Sequence, residues 1–328
     1  MSGLPGPRDE RPHVMPTLLV ASTGGHLKQL YRLRSALPMT GPFVWATFDT
    51  PQSRSLLSGE TVDFVPFVGG RDPVNVLRNM QSARRILRRG DISAVVSTGS
   101  AVAIPFFFQA RLRRLRAVYI ESAARTVGPS LSGRLISLIP GVELYCQYPN
   151  WRIRRWKFAG SVFDVFEPVQ GPADVGLSRV VVTLGTYEGF GFRRLVTRLI
   201  DILPARSEVL WQTGDTDVTG LPINAHRELA ATELSAAMAS ADVVVAHAGV
   251  GSALAALEVG KSPVLVPRRH HMGEHVDDHQ IQIARELDQR GLATVVDADD
   301  LQEHHLHEAA GRRIVVSPNT PQLAVDSP

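Results

Sequence analysis

The 328-residue sequence contains a single cysteine, Cys146, and no apolar stretch long enough to cross a membrane. One cysteine excludes a disulfide framework, a cysteine-rich zinc site and a CxxC redox motif, and it is typical of a reducing cytosol. A transmembrane helix needs about 18 apolar residues; the longest run, around Ala101 to Phe108, is shorter and contains Pro105. Residues 1–16 contain four prolines and mixed charges without the apolar core of a signal peptide, so we expect a disordered leader there.

The composition is that of a globular protein with room for two domains. Hydrophobic residues make up 44% of the chain, charged residues make up 20%, and the mean hydropathy is near zero. These values exclude a disordered or fibrous protein. At about 150 residues per domain, the length predicts two domains that each bury a core of their own.

Short β-rich runs alternate with helical patterns in both halves of the chain. The candidate strands are residues 17–20, 43–46, 62–65, 94–96, 117–120 and 143–145, followed by 180–183, 208–211, 243–245, 264–266 and 294–296. This alternation predicts βαβ units, parallel sheets and an α/β fold. A polar stretch with proline and glycine predicts a linker at 168–177, between a first domain at 17–167 and a second at 178–328. Two Rossmann-like domains place a ligand cleft at the carboxyl ends of their strands.

The net charge of +3 is distributed unevenly between the halves. Through Gln170, 22 Lys and Arg stand against 11 Asp and Glu, a net charge of +11, and the remainder carries 13 against 21, a net charge of −8. Arginine clusters adjoin aromatic residues at Phe106 to Phe108 with Arg111, Arg113, Arg114 and Arg116, and at Trp151 and Trp156 with Arg152, Arg154 and Arg155. Such clusters favour an anionic membrane surface over nucleic acid, for which no binding motif is present. A solvated arginine-rich surface is the alternative.

Two turns of the first half have the composition of phosphate sites. Gly24 and Gly25 lie between a strand and a helix, where free amides attract an anion and glycine permits close approach of a ligand. His26 follows in the first helical turn, where a neutral imidazole could accept a proton or simply pack. The second turn, Ser97-Thr98-Gly99-Ser100, supplies amides and hydroxyls at the end of another strand.

The second half repeats this pattern with a denser cluster. Gly185 and Thr186 follow its first strand, and His247-Ala248-Gly249-Val250-Gly251-Ser252 leads from a strand into a helix whose amides could hold a diphosphate. Glu258, about two turns further on, could accept hydrogen bonds from ribose hydroxyls. A nicotinamide site is poorly supported, because Leu254 stands where the third glycine of GxGxxG is required.

These motifs resemble a known family of enzymes. HAGVGS, ALEVGKSPVLVP and the HxxDHQ-like stretch resemble the donor domain of glycosyltransferase family 28, the MurG-like family of GT-B fold. STGGHL, VSTGSA, YIESAAR, SLSGRL and KFAGSVFDVF resemble the acceptor subunit of the eukaryotic two-subunit enzyme that extends a polyprenyl-pyrophosphate sugar with N-acetylglucosamine. The whole is similar to a fusion of that enzyme's two subunits, and to the bacterial exopolysaccharide pair PssD and PssE.

The resemblance implies an inverting glycosyltransferase that moves a sugar from a UDP-sugar to a polyprenyl-pyrophosphate-linked saccharide, in cell-surface polysaccharide or glycolipid synthesis. The implied donor residues are Gly185, Thr186, His247, Gly249, Gly251, Ser252, Glu258, Asp278, His279 and Gln280. The implied acceptor residues are Gly24, Gly25, Ser97, Thr98, Gly99, Ser100 and Arg125, with His26 the first choice of general base and Glu121 the second. The expected location is cytoplasmic, on the inner face of the plasma membrane.

The chemistry of inverting transfer fits these residues. It needs one base for the acceptor hydroxyl and dipolar groups for the leaving diphosphate, so no cofactor and no metal is expected. Glycoside hydrolysis would need two facing carboxylates, and no such pair is evident. Three alternatives stay open: a zinc site at His271, His275 and His279, which recur at i, i+4 and i+8; a sugar-nucleotide 2-epimerase; and a non-catalytic partner subunit.

Overall fold

The computed structural model describes residues 15–69, 72–172, 175–186, 189–318 and 322–326. The first half contains β1 (Thr17–Val20), α1 (Gly25–Leu33), β2 (Phe43–Thr47), α2 (Pro51–Leu56), β3 (Thr61–Phe64), α3 (Pro73–Leu87), β4 (Ala94–Ser97), α4 (Ala103–Leu112), β5 (Arg116–Ile120), α5 (Leu131–Ser137), β6 (Glu143–Cys146) and β7 (Trp156–Phe158). Its strands form a parallel sheet in the order β3-β2-β1-β4-β5-β6-β7. The central strands β1 and β4 are buried along their whole length, as expected for a parallel sheet covered by helices on both faces.

The second half begins with β8 (Phe166–Gln170) and continues through β9 (Arg179–Thr183), α6 (Arg193–Ile202), β10 (Glu208–Gln212), β11 (Ala225–His226), α7 (Ala231–Ser240), β12 (Val243–His247), α8 (Val250–Glu258), β13 (Val264–Val266), α9 (His279–Gln289), β14 (Thr294–Val295), α10 (Glu303–Ala310) and β15 (Arg312–Val316). Six of these strands form a second parallel sheet in the order β11-β10-β9-β12-β13-β14. All eleven strands predicted from the sequence are present, and β7, β8, β11 and β15 were not predicted.

The two halves share a continuous apolar core. Helices α1 and α8 pack against each other, and one buried cluster extends from Leu27 and Leu30 of α1 to Leu254 and Leu257 of α8. Apolar burial of this kind contributes about 25 cal/mol for each Å² removed from water. The two domains are therefore joined at these helices by an apolar interface.

The predicted domain boundaries differ from the structure in three places. Part of the predicted linker forms β8, which pairs antiparallel with β15, and Pro168 is tolerated because this ribbon has only two strands. Residues 173–174 of the linker lie outside the described residues. The predicted leader also lies mostly outside them, but Pro16 accepts a hydrogen bond from the amide of Ser93 at 2.9 Å, so ordered structure begins before Thr17.

The third difference concerns the end of the chain, which returns to the first half. Leu323 and Val325 are buried in the core cluster, and the amide of Leu323 donates to the carbonyl of Ala36 at 2.9 Å. Asp326 pairs with Lys157 at 2.7 Å. A segment that was assigned to the second domain by sequence order thus packs on the first. Among the described residues, no helix is both long and apolar enough to cross a bilayer.

Candidate active site

Two glycine turns from opposite halves touch at the centre of the molecule. Gly25 begins α1 directly after β1, and Gly251 lies in the first turn of α8 after β12. A Cβ added to Gly251 would lie 3.1 Å from the Cα of Gly25, and a Cβ added to Gly25 would lie 3.3 Å from the amide nitrogen of Gly251. Glycine at both positions therefore allows the two backbones to meet. The positive ends of two helix dipoles come together there, which favours an anionic ligand beside the contact.

The helices at this contact begin without a capping side chain. Gly24 and Gly249 occupy the N-cap positions of α1 and α8, whereas side chains of Thr50, Asp72 and Ser130 cap α2, α3 and α5. The first amides of an α-helix have no acceptor within the helix, so an uncapped start leaves them for a ligand or water. Three of these amides already have acceptors in the protein. The amide of Gly24 donates to Oε1 of Gln52 at 2.8 Å, that of Leu27 to the carbonyl of Ser22 at 3.1 Å, and that of Gly249 to the carbonyl of His247 at 2.7 Å.

His26 joins the two predicted phosphate turns of the first half. Its Nδ1 lies 2.9 Å from the carbonyl oxygen of Thr98, and the hydroxyl of Thr98 donates to the carbonyl of His26 at 2.9 Å. The imidazole also lies against Gly99, where an added Cβ would be 2.9 Å from Cε1. With Nδ1 donating to the carbonyl, Nε2 is the nitrogen that can accept a proton.

The surroundings of His26 keep its ring neutral. Burial lowers the pKa of His26 to about 4, and the nearby positive charge of Arg125 acts in the same direction, while the hydrogen bond to Thr98 opposes both. A neutral imidazole with one nitrogen anchored has the protonation state that a general base requires.

The Ser97–Ser100 turn is compact and strained in the manner of a ligand-binding turn. Gly99 and Ser100 both have positive φ, at 119° and 76°, and the hydroxyl of Ser97 accepts the amide of Gly99 at 3.0 Å. A non-glycine residue in the left-handed region is uncommon and often marks a functional turn.

Glu121 is committed to the interior of the first domain. The residue is 1% exposed, and its Oε2 accepts from both the amide and the hydroxyl of Ser130, at 2.9 and 3.0 Å. A Cβ added to Gly133 would lie 2.2 Å from the same oxygen. Burial raises the pKa of Glu121. The carboxylate therefore fixes the start of α5 against the end of β5, and its oxygens have protein partners instead of facing the cleft.

The donor turn is built around His247. Its ring fills the space between two glycines: an added Cβ would lie 2.6 Å from Cε1 at Gly185 and 2.3 Å from Nε2 at Gly249. The hydroxyl of Ser252 lies 3.4 Å from Nδ1. Burial lowers the pKa of His247 to about 3, and the charge of Arg268 reinforces the shift. Gly185, Gly249 and Ser252 thus lie around His247, and Thr186 follows Gly185 in the chain; Tyr187 and Glu188 are outside the described residues.

Arg268 is a site residue that the sequence reasoning missed. It is 1% exposed, and its guanidinium donates to the carbonyls of Leu184 at 2.8 Å and Phe190 at 3.0 Å, which lie on either side of the Gly185 turn. Burial lowers the pKa of Arg268 to about 10. The available signal was an arginine two residues after the buried strand β13, where a buried charge needs a polar or charged partner.

Three predicted donor residues have other partners in the structure. Glu258 is the last residue of α8, about 12 Å along the helix from its start, and forms an ion pair with Lys28 of α1. Asp278 accepts the amide of His270 at 2.9 Å, and the buried Gln280 accepts the amide of Arg268 at 3.1 Å. Asp278 and Gln280 thereby shape the loop before α9, and Glu258 lies at the domain interface.

Polar contacts join the two domains at a second place. Arg125 donates to Oδ2 of Asp277 at 3.0 Å, and the hydroxyl of Thr126 donates to Gln282 at 3.3 Å. The predicted acceptor residue Arg125 therefore lies at the domain boundary, paired with an aspartate one position before the predicted Asp278. His279 contacts the same carboxylate.

The predicted helical face of His271, His275 and His279 does not form. The helix α9 begins only at His279, because Gly273, at φ 71°, ends a short 3₁₀ turn and a loop follows. His271 is exposed in that turn. The zinc hypothesis in that form is wrong, although His275 and His279 do approach each other.

Known proteins resemble this chain in sequence. Residues 179–320 match the glycosyltransferase family 28 C-terminal domain. The UDP-N-acetylglucosamine--N-acetylmuramyl-(pentapeptide) pyrophosphoryl-undecaprenol N-acetylglucosamine transferase of Verminephrobacter eiseniae is 27% identical over 326 residues, which cover 85% of this chain and 88% of that one. Its counterpart from Chlorobium phaeobacteroides is 27% identical over 241 residues, which cover 68% of this chain and 64% of its own length.

Solved structures resemble it in fold. MurG of Acinetobacter baumannii superposes with a TM-score of 0.54 at 19% identity, covering 89% of this chain and 88% of that one. The Staphylococcus aureus MnaA structure with UDP superposes with a TM-score of 0.58 at 11% identity, covering 92% and 91%. At such identities the likeness establishes the GT-B fold alone. Residues 179–320 therefore match the family 28 C-terminal domain, and over both halves the chain is similar to MurG-like glycosyltransferases of that family.

We predict that His26 titrates far below the ordinary histidine pKa of 6.5. An NMR titration of the imidazole C–H resonances, assigned with His26→Gln, should give a midpoint near pH 4 because the partly buried ring is desolvated and resists protonation. The unfolded chain takes up this proton at higher pH than the folded chain does. The His26 contribution to stability should therefore be complete above pH 6.5 and decline as the pH falls towards 4. A midpoint at pH 6 or above would contradict the structure.

A second prediction tests whether Glu258 binds the ribose of UDP or only joins the two domains. Because Glu258 pairs with Lys28, the variants Glu258→Gln and Lys28→Met should change UDP affinity by similar small factors, below about threefold, as for a partly exposed ion pair. Isothermal titration calorimetry with UDP makes the comparison. A loss above tenfold in Glu258→Gln alone would restore the ribose role.

Proposed function

We propose that the chain is an inverting glycosyltransferase that moves a sugar from a UDP-sugar to a polyprenyl-pyrophosphate-linked saccharide, in the synthesis of a cell-surface polysaccharide or glycolipid. The contact of Gly25 with Gly251 is the observation that carries this proposal, because it brings a candidate base and a candidate diphosphate site together. The relatives' names, which specify a UDP-N-acetylglucosamine donor and an undecaprenol-linked acceptor, support the classes of both substrates.

The donor diphosphate would lie at the start of α8. The uncapped amides there and the neutral His247 provide hydrogen bonds, with Gly185 and Thr186 on the other wall. The buried charge of Arg268, which holds both ends of the Gly185 turn, adds a favourable field for the leaving group. Of residues 278–280, His279 would contact the donor sugar, because Asp278 and Gln280 accept hydrogen bonds from backbone amides. These groups would supply the stabilisation that transfer requires without a metal ion.

The acceptor would lie against the turns at Gly24 and Ser97–Ser100. In the step itself, the acceptor oxygen forms a bond to the anomeric carbon while the bond to the diphosphate breaks and UDP leaves with its electron pair. The proton of the acceptor hydroxyl passes to Nε2 of His26, whose Nδ1 is anchored on Thr98. His26 is preferred to Glu121 because the Glu121 oxygens are occupied by Ser130 and Ser122.

The test of this function is a transfer assay with the full chain. Purified protein is incubated with a panel of UDP-sugars, with and without a polyprenyl-pyrophosphate saccharide, and the lipid product is separated by thin-layer chromatography. Sugar transfer that needs the lipid acceptor supports the proposal. Interconversion of the donor sugar at C2 without acceptor would instead indicate an epimerase, and nucleotide binding with neither reaction would indicate a partner subunit.

We predict that His26→Gln lowers turnover by about 10² to 10⁴ while UDP affinity is retained, because only the proton transfer is lost. Gly99→Ala should act in the same direction, since its Cβ would displace the imidazole. Gly59→Ala is the matched control, as Gly59 also has positive φ, at 85°, but has open space around its Cβ position. Equal turnover of the Gly99 and Gly59 variants would remove His26 from the mechanism.

We further propose that the first half attaches to the inner face of the plasma membrane, through a surface different in detail from the one predicted. Phe106 and Phe107 are fully buried and Trp156 is 7% exposed, so these rings belong to the core. Arg116 is also unsuitable, because it pairs with Glu143. The exposed apolar side chains instead come from α3, α4 and α5, which pack side by side: Val74, Leu77, Phe108, Leu112, Leu131, Leu135 and Leu138. Arginines are interspersed among them at Arg78, Arg111, Arg114 and Arg134.

This attachment predicts salt-sensitive binding to liposomes. Changing Arg111, Arg114 and Arg134 to Gln should weaken binding to anionic vesicles by about 100-fold, at about 1 kcal/mol for each cation. Binding should also fall at high salt as the Debye length shortens. The exposed Arg206 and Arg285 of the second half, changed to Gln, provide the control in a co-sedimentation assay. An equal loss in the control variant would exclude this surface.

A further inference from the structure

Three potential metal ligands converge at the boundary of the two domains. His275, Asp277 and His279 each offer one ligand atom, and these atoms lie within 4.8 Å of one another. Nδ1 of His275 is 3.6 Å from Oδ1 of Asp277, and Nδ1 of His279 contacts the same oxygen. The edges of the two imidazole rings approach, with centroids 4.7 Å apart. Of these three residues, only His279 has a role in the proposed transfer reaction, so that reaction does not explain why the three lie together.

We propose that His275, Asp277 and His279 bind a divalent transition-metal ion of the Zn²⁺ class. A tetrahedral ion with bonds of about 2.0 to 2.1 Å holds its ligands about 3.4 Å apart, so the observed spacing needs only small side-chain movements. Two imidazoles and one carboxylate suit Zn²⁺, Co²⁺ or Ni²⁺ and not Ca²⁺ or Mg²⁺, which prefer oxygen ligands. Three protein ligands leave one coordination position open.

The surroundings of Asp277 resemble the outer shell of a metal site. Arg125 from the first domain donates to Oδ2 at 3.0 Å, and this contact turns Oδ1 towards the two histidines. Hydrogen bonds of this kind orient a ligating carboxylate. The ring of Phe190 lies 5.8 Å from that of His275, and His275 is largely buried. The arrangement needs both domains, so an ion bound there would favour the closed cleft.

The consequence for catalysis rests on the proposed function. His279 is the residue proposed to contact the donor sugar, and an ion that takes its nitrogen competes with that contact. Zn²⁺ should therefore inhibit transfer in competition with the UDP-sugar, and a chelator should restore activity. The ion is thus an inhibitor of a metal-independent reaction.

The binding test uses the full chain without substrates, so its outcome does not depend on whether the transferase function holds. Chelator-treated protein is titrated with Co²⁺ while the visible d–d absorption is recorded, and Zn²⁺ is then added to displace it. We expect one equivalent of Co²⁺ with tetrahedral absorption. His275→Gln and Asp277→Asn should each weaken binding at least 100-fold, with near-ultraviolet circular dichroism to check that the variants fold.

His271→Gln is the matched control, because His271 lies in the same loop but outside the cluster. It should bind Co²⁺ as the unaltered chain does. The proposal is overturned if no binding occurs at about 1 mM Co²⁺, if both cluster variants keep full affinity, or if His271→Gln loses as much as they do. If Zn²⁺ binds but does not inhibit transfer, the metal site stands, and only the proposed competition between Zn²⁺ and the UDP-sugar is overturned.

Discussion

The backbone contact between Gly25 and Gly251 is the constraint on which the rest of the arrangement depends. Any side chain at these positions would press against the opposite turn and separate the helices α1 and α8. With glycine at both, the starts of two uncapped helices meet, and the apolar faces of the same helices seal the interface behind them. Two positive dipole ends in contact are unfavourable alone, and an anion bound beside them would compensate for this. The geometry of the two α/β domains thus suits the proposed substrates, which carry phosphate.

Neutral histidines on both walls give this site its chemical character. His26 and His247 are held against glycines whose Cβ atoms would collide with the rings, and burial keeps both pKa values well below the ordinary range. Nearby cations act in the same direction: the charge of the buried Arg268 lowers the pKa of His247, and that of Arg125, which is paired with Asp277 across the boundary, lowers the pKa of His26. A base that stays neutral and a fixed positive field at the leaving group are the two components that the proposed displacement needs.

Local patterns were sufficient to predict most strands of the two parallel sheets, but not the edge strands β7 and β11 or the β8-β15 ribbon. A short, fully apolar run such as the valines of β12 predicts a buried strand of a parallel sheet in an α/β chain. A glycine turn that follows such a strand is then expected at the carboxyl end of the sheet. Partners distant in sequence could not be predicted. Nothing local indicates that Glu121 meets Ser130, that Glu258 meets Lys28, or that the segment at Leu323 packs on the first domain. Phe106 and Phe107 were assigned to a membrane surface because their apolar run does not reveal which side faces the core.

The central claim is a single displacement across the contact of the two turns, with one base and no covalent intermediate. It is tested most directly by the anomeric configuration of the product. The proton NMR coupling constant of the transferred sugar is measured after transfer from an α-linked UDP-sugar. The account predicts a β-linked product, because the acceptor is activated by His26 on the face opposite the leaving diphosphate. A product that retains the α configuration would require a second displacement or attack on the same face, and would contradict the account.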